Sequence, residues 1–151
     1  MLDLKGKWVL VTGASRGIGN LAARAMAVQG CNLILQSRSV EHTAALKEEL
    51  MATGVICHSV EADLNDIPSV MKMLESIDSL GMDVDIVLNN AGLQIAYRPD
   101  YYQTPAEDYT VSFNVNTIAP AMICYHFLPK MVERGFGRIV NTTSGIDKEP
   151  E

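Results

Sequence analysis

Basic residues are scarce in this sequence: 12 lysines and arginines stand against 18 aspartates and glutamates, a net charge of −6. They form no block that could neutralise a run of phosphates, which argues against nucleic acid as a partner. Long apolar runs are lacking too. None approaches the roughly 20 residues that a membrane span needs, and Met1-Leu2-Asp3-Leu4-Lys5-Gly6-Lys7 shows no basic segment followed by an apolar one of the secretory kind. No membrane partner is expected, and the sequence reads as cytoplasmic. Cysteine is limited to Cys31, Cys57 and Cys124, widely spaced and without a CxxC pair, while His42, His58 and His126 are equally scattered. These spacings suggest no metal site and point to three buried free thiols. Internal repeats, low-complexity tracts and linkers are absent as well.

What is present fits one globular domain over residues 1–151, with 48% apolar and 20% charged residues. Short apolar runs alternate with longer stretches of helical period, the pattern of a parallel sheet covered on both faces. Strands are expected near 7–12, 32–36, 55–60, 84–88 and 137–143. The first helix would turn Ile18, Leu21, Ala22, Ala25 and Met26 inward and end at Gly30. A second is expected at 40–53. A third, at 66–80, has Pro68 in its first turn and Ile67, Val70, Met71, Leu74 and Ile77 on its inner face. A long helix is expected over 105–134, with Thr104 as N-cap, Pro105 at N1 and Glu107 at N3. Right-handed crossovers then give a doubly wound α/β sheet, whose ligand sits beyond the carboxyl ends of the strands where strand order reverses.

The loop Thr12-Gly13-Ala14-Ser15-Arg16-Gly17-Ile18-Gly19 falls between the first strand and the first helix. Its backbone N–H groups and the positive end of the helix would face that crevice, where a pyrophosphate fits. Gly13 allows the tight turn, Gly17 a close approach by the ligand, and Gly19 close packing of helix on strand. The spacing is Gly-x-x-x-Gly-x-Gly, and Asn89-Asn90-Ala91-Gly92 stands directly after the fourth apolar run. With both motifs in order, essentially the whole chain resembles the short-chain dehydrogenase/reductase family, and within it the 3-oxoacyl-acyl-carrier-protein reductase type.

The resemblance implies a Rossmann-type fold and a nicotinamide dinucleotide cofactor. The cofactor-binding set it implies is Gly13, Ser15, Arg16, Gly17, Ile18 and Gly19 in the loop, and Ser37 and Arg38 after the second strand. Asp63 and Leu64 after the third strand would meet the adenine, and Asn90, Ala91 and Gly92 after the fourth complete the set. At the end of the second strand, folds that prefer NAD place an acid on the ribose 2′-hydroxyl, whereas this chain reads Gln36-Ser37-Arg38-Ser39. No acid would repel a 2′-phosphate, and Arg38, with Arg16 opposite, could grip it. NADP(H) is therefore expected in preference to NAD(H).

Asn116 lies where the family carries its catalytic asparagine, upstream of Gly137-Arg138-Ile139-Val140. Pro120 has no N–H to return to the Asn116 carbonyl, so the helix should kink there and leave that carbonyl free to hold a water. Ser144 matches the family serine that hydrogen-bonds the substrate oxygen, so Asn116 and Ser144 are the expected catalytic residues. The family's proton donor is the tyrosine of a Tyr-x-x-x-Lys helix, yet none of Tyr97, Tyr101, Tyr102, Tyr109 and Tyr125 has a lysine four places on. The resemblance places that helix beyond Glu151. The sequence is thus expected to be part of a longer, seven-stranded reductase, inactive without the remainder, which interconverts a small-molecule carbonyl and alcohol as a homodimer or homotetramer. A dinucleotide-binding module without turnover and a structural subunit stay open as alternatives. The segment 93–102 could line a substrate entrance or form only a surface loop.

Overall fold

A computed structural model describes residues 3–143 of the chain. Five strands occupy the apolar runs: β1 Trp8–Val11, β2 Asn32–Ser37, β3 Cys57–Glu61, β4 Val84–Asn89 and β5 Arg138–Asn141. The helices are α1 Gly17–Val28, α2 Ala44–Met51, α3 Ile67–Ser79, α4 Ala106–Phe113 and α5 Ala119–Glu133. The strands pair in the order β3-β2-β1-β4-β5, and every pair is parallel. Strand order therefore reverses between β1 and β4, where a doubly wound sheet opens its crevice.

Two-sided burial explains the unbroken apolar strands. Leu10, Ile34 and Val87 pack with Val70, Met73 and Ile77 of α3 and with Ile123 and Phe127 of α5. On the other face, Val9, Val11, Leu33, Leu35 and Ile86 pack with Ala23 and Ala27 of α1 and with Leu46 and Leu50 of α2. Leu10, Leu33, Ile34 and Leu35 are fully buried, and each such side chain contributes about 1.5–3 kcal/mol. Cys31 and Cys57 are buried and Cys124 half-buried, all three as free thiols.

The helices depart from the expected pattern in three places. In α1 the inward face is Gly19, Ala23 and Ala27, whereas Ile18 and Leu21 are 68% and 66% exposed. Close approach explains the reversal: a Cβ on Gly19 would lie 2.4 Å from the Gly13 carbonyl oxygen, so only small side chains fit beneath this helix. In α3, Asp66 caps the start by accepting the Ser69 N–H at 3.2 Å, and Met73 takes the inner position expected of Met71.

The long helix is divided. Its N-cap is Pro105, not Thr104, with extended backbone (φ −61°, ψ 146°) and no side-chain cap. Glu107 and Asp108 stand in its first turn and oppose the positive helix end instead. Between α4 and α5, residues Asn114–Ile118 form a π turn closed by the Ala119 N–H on the Asn114 carbonyl. Pro120 falls in the first turn of α5, so the missing donor is accommodated by widening the turn just before it. Among the described residues β5 is an edge strand that pairs only with β4, and Val140 is 52% exposed.

Candidate functional site

The carboxyl ends of β1 to β4 surround a cavity of about 640 Å³. Thr12, which is 2% exposed, ties together two of the loops that line it. The Thr12 hydroxyl oxygen accepts the N–H groups of Asn90 and Ala91, both at 3.0 Å, and the Asn90 side-chain amide donates to the Thr12 carbonyl at 3.0 Å. The glycine loop after β1 is thereby tied to the Asn-Asn-Ala-Gly turn after β4. On the opposite side, the buried Gln36 at the end of β2 accepts the Gly13 N–H at 3.0 Å and donates to the Ala62 carbonyl at 2.9 Å. One amide thus joins the ends of β1, β2 and β3.

Gly13 and Gly17 have φ of +66° and +58°, values that disfavour other residues. A Cβ on Gly17 would meet nothing within 4 Å, so the space over this turn belongs to the cavity. Helix α1 starts there with Arg16 as N-cap, no side-chain cap and no acid in its first turn. Its first N–H groups and dipole face the cavity uncompensated, an arrangement that suits an anion. Arg16 and Arg38 are exposed on the cavity wall, and neither has an ion-pair partner among the described residues. The donor set therefore fits a phosphate-bearing ligand.

Of the cofactor-binding residues expected from sequence, Gly13, Ser15, Arg16, Gly17, Ile18, Ser37, Arg38, Asp63, Leu64, Asn90, Ala91 and Gly92 all line this cavity. Gly19 lies buried behind it, where its missing side chain lets α1 approach Gly13 and Asn90. Gln36, His42, Ala62, Asn65, Val111, Val115 and Thr142 also line it and were not singled out. For Val111 and Val115 the signal was a spacing of one helical turn; both line the cavity, and Val115 packs against the core cluster that holds Ala62 and Leu64. For Gln36 it was an amide within the apolar run Leu33-Ile34-Leu35. Asn114, next to Val115, donates its amide to the Asn65 carbonyl at 3.1 Å and to Asn65 Oδ1 at 3.2 Å.

Asn116 sits apart from the large cavity, on a shallower groove of about 510 Å³ shared with Tyr109, Phe113 and Thr117. Its side chain is committed to backbone. Oδ1 accepts the Leu93 N–H at 2.8 Å, while Nδ2 donates to the Leu93 carbonyl at 2.7 Å and to the Ser112 hydroxyl at 3.1 Å. Of the segment 93–102, Leu93 alone among the described side chains lines the large cavity. Ser144, with Asp147–Glu151, lies outside the described residues. Thr142 reaches the rim, with its N–H on the Asn89 carbonyl at 2.9 Å.

A family model for short chain dehydrogenases matches residues 7–151. The chain belongs to the short-chain dehydrogenase family. Among curated members, an oxidoreductase of Bacillus subtilis, YvrD, is 34% identical over 149 residues, 99% of this chain and 55% of that protein. The 3-oxoacyl-acyl-carrier-protein reductase of Aquifex aeolicus is 35% identical over 146 residues, 96% of this chain and 58% of that protein. A metagenomic short-chain oxidoreductase crystallised with NADP superposes with a TM-score of 0.91 at 29% identity, over 99% of this chain and 66% of that one. The chain spans about half the length of the curated short-chain dehydrogenases it matches. Among the described residues, no helix is long and apolar enough to cross a membrane, and no cluster of acidic, histidine or cysteine side chains could hold a metal ion.

Proposed function

We propose that residues 1–151 are the nucleotide-binding domain of an NADP(H)-dependent oxidoreductase that interconverts a carbonyl and an alcohol. The observation that carries the reading is the cavity wall at the end of β2, where Ser37 and Arg38 stand in place of an acid, facing an uncapped helix start. Related short-chain oxidoreductases crystallised with NADP or NADPH support it.

In this reading the loop from Gly13 to Gly19 cradles the pyrophosphate and Arg38 with Arg16 grips the 2′-phosphate. The adenine lies against Asp63, Leu64, Val111 and Val115, and Asn90, Ala91 and Gly92 line the path toward the nicotinamide. When bound, the nicotinamide supplies or accepts a hydride at the substrate carbon. Reduction also needs a proton on the substrate oxygen. The family resemblance assigns Ser144 to orient that oxygen, the Asn116 carbonyl to hold a relay water, and a tyrosine and lysine beyond residue 151 to provide the proton, the lysine drawing the phenol down from about 10. Exposed Tyr109, Phe113, Leu128 and Val132 on α4 and α5 support assembly as a homodimer or homotetramer, which sedimentation would read.

Fluorescence titration with NADPH and NADH tests the cofactor reading. NADPH should bind more tightly, and Arg38→Ala should weaken NADPH by about tenfold or more, the loss of one charge-assisted contact, while leaving NADH nearly unchanged. Equal weakening of both would sink the 2′-phosphate assignment. The intact mass of the natural protein, with turnover of a test ketone, tests the reaction: a mass equal to that of the 151 residues without turnover would favour a nucleotide-binding module that does no chemistry.

A further inference from the structure

The large cavity contains one imidazole that the proposed function leaves unused. His42 sits in a single 3-10 turn, Val40–Thr43, that follows Arg38. It is exposed on the cavity wall with Arg38, Ser37 and Arg16. No hydrogen bond or ion pair joins its side chain to another described residue.

Its position is held firmly although the ring is free. The next residue, Thr43, is fully buried; its hydroxyl donates to the Val40 carbonyl at 3.1 Å and bonds the Ser59 hydroxyl of β3 at 2.9 Å. The His42 N–H donates to the Ser39 carbonyl at 3.1 Å, and the same carbonyl accepts the Ser37 hydroxyl at 2.5 Å. The turn is therefore pinned to β2 and β3, with His42 and Arg38 at fixed places on one wall. We infer that His42 is a third, proton-dependent contact for the 2′-phosphate of NADP(H), so that the preference for the phosphorylated cofactor rises as the imidazole gains its proton. This inference rests on the NADP(H) reading.

The surrounding charges leave His42 as the group that can act this way. Arg38, Arg16 and Asp63 line the same cavity. Glu41, beside it, accepts a hydrogen bond from Ser39. On the elements packed against the turn, Glu49 of α2 is paired with Arg24, and the remaining charged side chains are Lys47 and Glu48 of α2 and Glu61 of β3. The imidazole on β3, His58, stacks on Trp8 at 5.6 Å, and burial followed by Lys47 lowers its proton affinity. An imidazole titrates near pH 6.5 and a phosphomonoester loses its second proton near pH 6. Between pH 8.5 and 6.5 an imidazole therefore gains positive charge while most of a phosphomonoester stays dianionic.

The test is the ratio of NADH to NADPH dissociation constants at pH 6.5 and 8.5, for the full chain and for His42→Gln. In the unaltered protein the ratio should be about three- to fivefold larger at pH 6.5, the range of an exposed charge pair; in His42→Gln it should change far less, because only the phosphate still titrates. Calorimetry at pH 7.5 in two buffers of different ionisation heat should show proton uptake on binding NADPH, none with NADH, and none with His42→Gln. If the variant keeps the pH dependence of the unaltered protein, the His42 contact is overturned while the cofactor reading stands. Equal weakening of both cofactors at every pH would place the ring against the adenine and overturn it too. If the unaltered protein never prefers NADPH, the cofactor reading itself has failed and the contact falls with it.

Discussion

The side chain of Gln36 accepts the Gly13 N–H at 3.0 Å, so the tight turn of the glycine loop is bonded to a residue in the strand next to it and not to its own neighbours. Gln36 is 2% exposed and also donates to Ala62 in a buried bond. Gln36→Leu keeps the bulk but removes the partner of the part-buried Gly13 N–H and leaves the buried Ala62 carbonyl unpaired, the latter at about 1–3 kcal/mol. The expected result is a melting temperature lower by several degrees and weaker binding of NADPH. Gln36→Glu keeps the acceptor for Gly13 but sets a carboxylate against the Ala62 carbonyl, and should be the less stable of the two by urea unfolding.

Gly19→Ala probes the contact between loop and helix. Its Cβ would lie 2.4 Å from the Gly13 oxygen and 2.5 Å from Asn90 Nδ2, so the helix start or the loop must shift, at a cost of about 1–3 kcal/mol. Thermal melting should show that loss, and NADPH titration should show a larger one. A variant that melts and binds as the parent does would mean that the loop yields freely.

Acid sensitivity is expected between α3 and α5. Asp78 lies 3.0 Å from His126 Nε2 and 3.2 Å from Lys130 Nζ. Burial alone would raise its carboxyl, but the Lys130 hydrogen bond and the His126 imidazole hold it below the ordinary carboxylate value. A carboxyl depressed in the folded state stabilises above its unfolded value of about 4 and stops doing so as pH falls through the lower folded value. Asp78→Asn should therefore lower the melting temperature near neutral pH, and the difference should close below pH 4. A constant difference down to pH 2 would assign the effect to packing.

Thiol accessibility separates the cysteines. Burial pushes the Cys57 thiol up to about 11 and raises that of Cys31, and both residues lie in the core of the sheet. At pH 8 a thiol reagent should modify no more than the half-buried Cys124 in the folded protein and all 3 cysteines after denaturation. Rapid labelling of Cys57 under native conditions would contradict the packing of β2 on β3.

The glycine loop was legible because its spacing and its place between an apolar run and a helical pattern lie in one short segment, and the Asn-Asn-Ala-Gly turn because it stands unaltered as a family motif. The alternation of strand and helix was legible in the same local way. Gln36 was not, since its partners Gly13 and Ala62 lie far from it in sequence and only the sheet brings them together. The inner face of α1 was misread because the apolar spacing Ile18, Leu21, Ala22, Ala25 and Met26 was taken as the guide to burial, whereas Gly19, Ala23 and Ala27 are the buried residues. The close approach fixed at Gly19 admits only alanines beneath the helix and turns Ile18 and Leu21 outward. Pro120 marked the irregularity in the long helix, but the π turn that relieves it depends on how Asn114 and Asn116 anchor that turn to residues outside the helix.

That anchoring gives the chain a built-in reporter. Both the N–H and the carbonyl of Leu93 are taken by the single side chain of Asn116, which serves this stretch as a strand neighbour would. The Leu93 amide hydrogen can then exchange with heavy water only when the side chain lets go. Its exchange rate is a clock for release of the Asn116 side chain, readable without substrate and at one backbone position.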